Sequence, residues 1–290
     1  MSRRNLVLFV LSGFLWGIPY LFIKLAVDPD NGFSPAIVVF GRVFIGALIL
    51  IPIAIHDKSF FTAIKGYKYI AVYAFFEMII PWVLIGTAEQ SITSGLAGLL
   101  IATVPIFSTL LASWYGDKSV WQPRRLFGMA VGFLGVILLV GIESIIGSTD
   151  PVAILMMLGS ALGYAFAVIY ILRKMPGVSG VAINGIAMAM TAIFYLPALF
   201  LLWPEHTIST TAIFSVIALG IFSTGIAFAI FFIVLAEIGP TRASLVTYMN
   251  TAFAVLLGIL VLSEPLTLGI IVGLPLVLFG SYLASRKNKV

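Results

Sequence analysis

The chain has no cysteine, two histidines and few charged residues, which make up 9% of its 290 positions. Without cysteine, the sequence excludes a disulfide framework, a thiolate metal site and a cysteine nucleophile. Because 61% of the residues are hydrophobic, the chain also lacks the polar surface that a water-soluble globule of this length needs. The composition therefore indicates an integral membrane protein whose main partner is the lipid bilayer.

Motifs of catalysis and nucleotide binding are absent as well. The sequence contains no HExxH or GxSxG pattern and no Gly-x-x-x-x-Gly-Lys-Ser/Thr loop, so a zinc hydrolase, a serine hydrolase and an ATP-driven pump are disfavoured. The two histidines, His56 and His206, fall on opposite sides of the predicted membrane. An intramembrane enzyme therefore remains a weak alternative, and short connections argue against a receptor or scaffold. We expect no catalytic residue, no metal site and no cofactor.

Apolar segments divide the chain into ten predicted spans, each near the ~20 residues that cross a hydrocarbon core of ~30 Å. This pattern predicts an all-α integral membrane fold of ten transmembrane helices. The predicted spans are 6–26, 35–55, 69–87, 96–114, 126–142, 152–172, 181–203, 212–236, 243–262 and 268–284.

Basic residues fall on one side of these spans, and cytoplasmic loops are the ones that carry an excess of lysine and arginine. We therefore predict that both termini are cytoplasmic and that the protein lies in a bacterial plasma membrane. The net charge of +5 then reflects membrane orientation and not a nucleic-acid partner. Of the 16 basic residues, only Lys24 and Arg42 lie inside spans. The others are Arg3, Arg4, Lys58, Lys65, Lys68, Lys118, Arg124, Arg125, Arg173, Lys174, Arg242, Arg286, Lys287 and Lys289.

The two halves of the chain resemble each other at a spacing of about 146 residues. Each half contains five spans, an odd number, so the second half is predicted to lie upside down relative to the first. We assign residues 1–145 to the first five-helix repeat and residues 146–290 to the second, inverted repeat. The matching pairs are Gly13 with Gly159, Gly17 with Gly163, Pro52 with Pro197, Glu89 with Glu237, Thr103 with Thr251, Gly128 with Gly273 and Gly135 with Gly280.

Short motifs in both halves resemble the drug/metabolite transporter superfamily, EamA type. They are LWGxxxxFIKLA at 15–26, GRVFIGALIL at 41–50, ATVPIFSTLLA at 102–112, LAEIGPTRASL at 235–245 and AVLLGILVLSEPLT at 254–267. Two departures are Asp117, where such proteins often have glutamate, and Phe253 in place of a second-half proline equivalent to Pro105. The resemblance implies a central cavity lined by spans 1, 3, 4, 6, 8 and 9, with spans 5 and 10 packed outside it.

Ionisable residues at membrane depth are costly and usually face protein or a watery cavity. Glu77 lies ~12 Å from the cytoplasmic end of the third span. Its functional interpretation is proton coupling or binding of a substrate ammonium group, and its structural alternative is a neutral carboxyl or an ion pair with Arg42. Arg42 either binds a substrate carboxylate or forms that structural ion pair. Lys24 lies within one turn of the outer interface and is expected to extend toward water.

Aromatic and amide side chains within the spans complete the predicted substrate site. Tyrosine and tryptophan in a membrane interior need hydrogen-bond partners and can form an amphipathic cavity wall, although helix packing is an equal alternative for each. The predicted substrate-binding residues are Trp16, Tyr20, Arg42, Glu77, Trp82, Tyr164, Tyr248 and Asn250.

Prolines and glycines predict bends and close helix contacts. Pro19, Pro81 and Pro105 interrupt spans and indicate bends around the cavity. GxxxG motifs begin at Gly128 and Gly269, and we expect them to pack helices within each half, with homodimerisation a second alternative that nothing else indicates.

Together these features predict a secondary transporter, an exporter or exchanger that moves small polar metabolites such as amino acids by alternating access. Protons are one candidate coupling ion. The alternative substrates are drugs, lipids or other apolar compounds.

Overall fold

The computed structural model of the chain describes residues 3–116, 121–146, 150–238 and 246–285. These residues form ten helices and confirm the predicted all-α membrane fold. The helices are α1 (Arg3–Ala26), α2 (Pro35–His56), α3 (Ser59–Ala88), α4 (Ser94–Trp114), α5 (Pro123–Ile146), α6 (Pro151–Lys174), α7 (Gly180–Leu201), α8 (Thr210–Ile238), α9 (Val246–Leu262) and α10 (Leu268–Ser285). Asp117, Lys118, Arg242, Arg286, Lys287 and Lys289, which the sequence analysis used, lie outside the described residues.

Seven of these helices are long and apolar enough to cross a membrane by length and composition, and α9 and α10 are shorter apolar helices. The largest difference from the predicted spans is at α3, which begins at Ser59, ten positions before the predicted start. The structure forms short helical turns at Ser59–Ala63 and Ile64–Gly66. Hydropathy did not predict these turns, because Lys65 and Lys68 lower the mean hydropathy at this end of α3.

Four of the helices are interrupted, and one of them, α7, breaks at Leu196 and Pro197. α3 contains a π-helical segment at Phe75–Ile79, and α8 contains one at Leu219–Ile226. α4 breaks at Ala102 and Thr103, just before Pro105. A break inside the membrane frees backbone groups that lipid cannot satisfy. Here the Ser281 hydroxyl of α10 donates a 2.8 Å hydrogen bond to the Ala102 carbonyl, which stabilises the break.

The helix connections form two faces, which we call the terminal face and the far face. The far face holds the α1–α2, α3–α4, α7–α8 and α9–α10 connections, where the Ser209 amide donates to the Asn31 carbonyl at 2.9 Å. On the terminal face, which holds the start of α1 and the end of α10, Arg173 donates to the Tyr115 carbonyl at 3.0 Å. Successive helices run in opposite directions, so the connections between them alternate between the two faces.

Helices of the two halves interleave instead of forming separate bundles. α1 packs against α8 and α9, α6 packs against α3 and α4, and α2 packs against α7 and α8. Two large hydrophobic clusters form the core, and each includes residues from both halves of the chain.

α5 and α10 pack closely against each other along glycine-rich faces. A Cβ atom placed on Gly280 would lie 2.6 Å from the Gly128 carbonyl oxygen, and one on Gly128 would lie 2.6 Å from the Ala284 nitrogen. The expectation that the Gly128 motif packs within its own half is therefore only partly right. Gly132 packs against Ile106 on α4 of the same half, whereas Gly128 joins the two halves, because backbones approach most closely where neither helix carries a side chain.

Candidate functional site

Arg42 on α2 lies at the centre of a buried polar cluster, with only 6% of its surface exposed. Its Nε donates a 3.3 Å hydrogen bond to the Thr224 hydroxyl in the π-helical segment of α8. Its Cζ lies 3.7 Å from the centre of the Trp82 ring on α3. Gly46, one turn along α2, allows this approach, because a Cβ there would lie 2.6 Å from the Thr224 methyl group.

Tyr164 on α6 joins the same cluster through Trp82. The two side chains lie close enough to interact, and the indole N–H of Trp82 can only act as the donor toward the Tyr164 hydroxyl because indole has no acceptor. Tyr164 also interacts electrostatically with Arg42 and packs against both large hydrophobic clusters. The structure thus brings together three predicted site residues, and with Thr224 they form what we call the Arg42 cluster.

Glu77 lies in the π-helical segment of α3, close enough to Tyr164 and Tyr73 for electrostatic interaction. Its Oε2 atom is enclosed and has no hydrogen-bond partner among the described residues. Among the residues that the structure describes, no carboxylate forms an ion pair with Arg42. The structural alternative of an Arg42–Glu77 ion pair is therefore wrong for this conformation.

Hydrogen bonds to neighbouring helices hold the two ends of the α3 π-helical region. The Tyr73 hydroxyl donates to Asn184 Oδ1 on α7 at 3.0 Å, and the Tyr195 hydroxyl donates to the Ile79 carbonyl at 2.7 Å. Sequence reasoning did not place Tyr73, Tyr195 or Thr224 in the site. A signal existed for Thr224, because it is a polar residue within a highly apolar span.

Trp16 lies elsewhere, in the packing between α1 and α8. Its ring centroid is 5.4 Å from that of Phe228 and 4.4 Å from that of Phe231, both on α8. It packs with Leu15 and Ile18 in a hydrophobic cluster separate from the Arg42 cluster. Its surroundings are those of a packing residue.

Tyr20 borders the Arg42 cluster. It is buried, packs against Gly98 of α4 and interacts electrostatically with Arg42. A Cβ on Gly98 would lie 2.5 Å from the Ala254 Cβ and 3.3 Å from the Tyr20 ring, so the missing side chain allows both to approach α4.

The two predicted site residues on α9 have different surroundings. The Thr251 hydroxyl has one proton to donate and lies within hydrogen-bond distance of three acceptors: Asn250 Oδ1 at 3.2 Å, the Thr247 carbonyl at 3.1 Å and the Gly98 carbonyl of α4 at 3.3 Å. The Tyr248 ring contacts Tyr282 on α10, with centroids 6.4 Å apart. The structure therefore places Tyr248 toward α10 and Asn250 at the junction of α9 and α4.

A cavity of about 280 Å³ opens at the far face. Lys24 is half-buried and lines this cavity, and its Nζ donates to the Glu89 carbonyl at 2.5 Å and the Ile92 carbonyl at 2.9 Å. The residues lining this far-face cavity are Lys24, Leu25, Val27, Asp28, Pro29, Glu89, Gln90, Thr93, Leu262 and Glu264.

The chemistry available in these sites is recognition of charge and hydrogen-bonding groups. Among the described residues, no group of three histidine, aspartate or glutamate side chains is placed to bind a metal ion. The Arg42 cluster offers a planar cation with several donors beside an aromatic surface, which is suited to a carboxylate.

Comparison with known proteins identifies similar chains. The model of the EamA-like transporter family matches residues 3–141 and again residues 151–286. The uncharacterized transporter YoaV of Bacillus subtilis (strain 168) is 24% identical over 277 residues, covering 93% of this chain and 92% of its own length. The uncharacterized inner membrane transporter YedA of Escherichia coli (strain K12) is 27% identical, covering 95% and 91%. One crystal structure, 16% identical, shares the fold with a TM-score of 0.68 over 98% of this chain and 97% of the other.

Proposed function

Because this chain belongs to the EamA-like transporter family, we propose that it is a secondary transporter of small polar metabolites that carry a carboxylate, with amino acids as the leading class. It acts as an exporter or exchanger by alternating access. The transport itself rests on family membership, whereas the substrate class rests on the Arg42 cluster.

The observation that carries the substrate class is the buried guanidinium of Arg42. The structure assigns one of its five N–H donors, to Thr224, and no carboxylate of the described residues forms an ion pair with it. A buried cation is stable only when an anion or hydrogen-bond acceptors surround it. A substrate carboxylate supplies both, while Trp82 and Tyr164 border its apolar part.

Glu77 is the proposed coupling carboxyl. It lies near Tyr164 of the Arg42 cluster, and its enclosed oxygen has no hydrogen-bond partner among the described residues. Glu77 is half-buried, and enclosing one of its oxygens without a partner disfavours the ionised carboxylate. Release of this proton when a substrate ammonium group arrives would couple proton movement to transport.

Alternating access is supported by a difference between the two predicted repeats. A Cβ on Gly17 would lie 2.9 Å from the Asn250 carbonyl oxygen on α9, whereas one on its predicted equivalent Gly163 would lie 2.8 Å from the Phe76 carbonyl oxygen on α3. If the repeats were in identical conformations, Gly163 would approach α4 instead of α3. Unequal packing of equivalent helices is expected for an inverted-repeat carrier that is closed on one side.

Transport by purified protein in proteoliposomes tests the substrate class. The decisive comparison is between uptake of an amino acid and uptake of its amide, which retains the ammonium group but lacks the carboxylate. Both rates are measured with and without a proton gradient. We expect accumulation of the amino acid only. Equal transport of both compounds, or transport of apolar cations alone, would favour the drug or lipid alternative.

We further propose that the terminal face is cytoplasmic, since Arg3, Arg4, Lys58, Arg173 and Lys174 all belong to it. Reporter fusions after residue 285 and within the α2–α3 connection should both report a cytoplasmic location. A periplasmic signal at either position would overturn the orientation.

A further inference from the structure

The far-face cavity contains charged groups that the proposed transport site does not use. It is lined by one cation, Lys24, and three carboxyl side chains, Asp28, Glu89 and Glu264. Their individual hydrogen bonds show which of them remains available for a ligand.

Three of these groups are already engaged. Lys24 Nζ donates to two backbone carbonyls of the α3–α4 connection. Asp28 Oδ1 accepts hydrogen bonds from two amides of its own loop, at 3.0 and 3.2 Å. The Glu264 carboxylate accepts from the amides of Ser94 and Gly95 at 2.7 and 3.0 Å, which caps the first turn of α4.

Glu89 differs from the other three. Its exposed fraction is 0%, and neither carboxyl oxygen has a hydrogen-bond partner among the described residues. An ionised carboxylate in such surroundings is strongly disfavoured, whereas a protonated carboxyl is tolerated. Burial raises the pKa of Glu89 well above its usual range, Lys24 lowers this pKa and Glu264 raises it.

Lys24 is placed to respond to the charge on Glu89. Its ammonium group lies 2.5 Å from the backbone carbonyl oxygen of Glu89 and interacts electrostatically with the carboxyl group of the same residue. When Glu89 is neutral, the two carbonyls retain Lys24 and tie α1 to the α3–α4 connection. When Glu89 is ionised, the carboxylate becomes the stronger acceptor.

We propose that Glu89 is a proton-binding site reached through the far-face cavity, and that loss of its proton transfers Lys24 from the backbone carbonyls to the carboxylate and loosens the cavity wall. This site is separate from Glu77 and independent of the substrate. The titratable or charged groups around it are Tyr20 and Lys24 on α1, Asp28 in the α1–α2 connection, Arg42 on α2 and Glu264 in the α9–α10 connection.

A metal ion or an organic cation fits this cavity less well than a proton. The ammonium group of Lys24 repels a second cation. The carboxylates of Glu264 and Asp28 already accept hydrogen bonds from backbone amides. Both oxygens of Glu89 are also enclosed, so a proton reaches them with far less rearrangement than a larger ligand requires.

Cysteine labelling tests the proposed opening, and the natural chain contributes no background because it has no cysteine. Leu262→Cys places a thiol in the cavity wall, and Thr207→Cys places one at an exposed far-face position as the control for thiol ionisation. Labelling by a charged thiol reagent is measured in proteoliposomes between acidic and alkaline pH, without substrate.

We expect the ratio of the two labelling rates to rise with pH, by up to about tenfold per unit below the pKa of Glu89. Glu89→Gln, which mimics the protonated side chain, should keep the ratio low at every pH. The matched variant Asp28→Asn removes another cavity carboxylate and should preserve the rise. A ratio that is independent of pH in otherwise unmodified protein, or that rises equally in Glu89→Gln, overturns the proposal.

Infrared spectroscopy supplies a readout that does not depend on an added cysteine. In the Glu77→Gln background, the carbonyl stretch of a protonated carboxyl should be present at neutral pH and should vanish when Glu89→Gln is added. Absence of this band in folded Glu77→Gln protein would refute proton binding at Glu89. Since neither experiment contains substrate, such failures leave the transport proposal untouched.

Discussion

The guanidinium carbon of Arg42 lies 3.7 Å from the centre of the Trp82 ring, so the cation is held against the face of an indole. The same indole also interacts with the Tyr164 side chain. One tryptophan therefore contacts a cation from α2 and a tyrosine from α6. Among the described residues, the guanidinium has one assigned hydrogen-bond acceptor and no carboxylate partner, which leads to the first prediction.

Replacing Arg42 should remove recognition of the substrate carboxylate. Loss of a charged hydrogen-bonding partner costs roughly 1.5–3 kcal/mol, which corresponds to about 10- to 100-fold in affinity. Arg42→Gln and Arg42→Lys should both weaken binding, since lysine retains charge but not the planar fork. Binding isotherms of purified variants measure the change. Unaltered affinity in Arg42→Gln would assign the arginine a structural role.

Trp16 and Trp82 should respond differently to substitution. Trp16 packs between Phe228 and Phe231, so Trp16→Ala should cost about 3 kcal/mol of stability and leave the affinity of the remaining folded protein nearly unchanged. Trp82→Phe keeps an aromatic face beside Arg42 but loses the indole N–H beside Tyr164, and should reduce affinity more than stability. Parallel melting and binding measurements distinguish them. If Trp16→Ala instead weakens substrate binding without lowering the melting temperature, Trp16 is a substrate-binding residue.

Glu77→Gln should abolish proton-coupled uptake, because glutamine cannot release a proton. Exchange of substrate across the membrane without a gradient should persist, since the side chain keeps its size. Glu77→Asp, which retains an ionisable group, serves as the matched control and should keep partial coupling. Gradient-driven uptake by folded Glu77→Gln protein at the wild-type level would refute the coupling role.

The α5–α10 contact predicts a large effect from one added methyl group. A Cβ on Gly280 would lie 2.6 Å from the Gly128 carbonyl oxygen, so Gly280→Ala should force the helices apart and cost about 1–3 kcal/mol. The adjacent Phe279 is 52% exposed, and Phe279→Leu should have little effect. Thermal unfolding in detergent compares the two, and equal melting temperatures would show that this contact is easily adjusted.

Glu264 should stabilise the start of α4 across the boundary between the two halves. Its carboxylate accepts hydrogen bonds from the Ser94 and Gly95 amides, and charge-assisted bonds of this kind contribute about 1.5–3 kcal/mol. Glu264→Gln should therefore lower the melting temperature, whereas Glu205→Gln, at an exposed loop position, should not. Matching melting temperatures in both variants would argue against the cap.

The sequence by itself determined the number of helices, their approximate ends and the all-helical membrane fold. The reason is that a lipid-spanning chain must satisfy its backbone within each segment, so length and hydropathy identify the helices directly. The earlier start of α3 escaped this reasoning because its first turns contain lysines. The sequence also identified Arg42, Glu77, Trp82 and Tyr164 as unusual, since polar groups at such depth stand out against an apolar background.

Only the tertiary structure decided which of these residues meet. Arg42 and its partner Thr224 are 182 positions apart, Gly280 contacts Gly128 of the other half, and Trp16 packs on α8 outside the Arg42 cluster. Hydropathy does not reveal such pairs, because a helix in lipid is apolar on the side that faces lipid as well as on the side that faces protein. The rotation of each helix follows from close packing between small residues on helices that are distant in the chain.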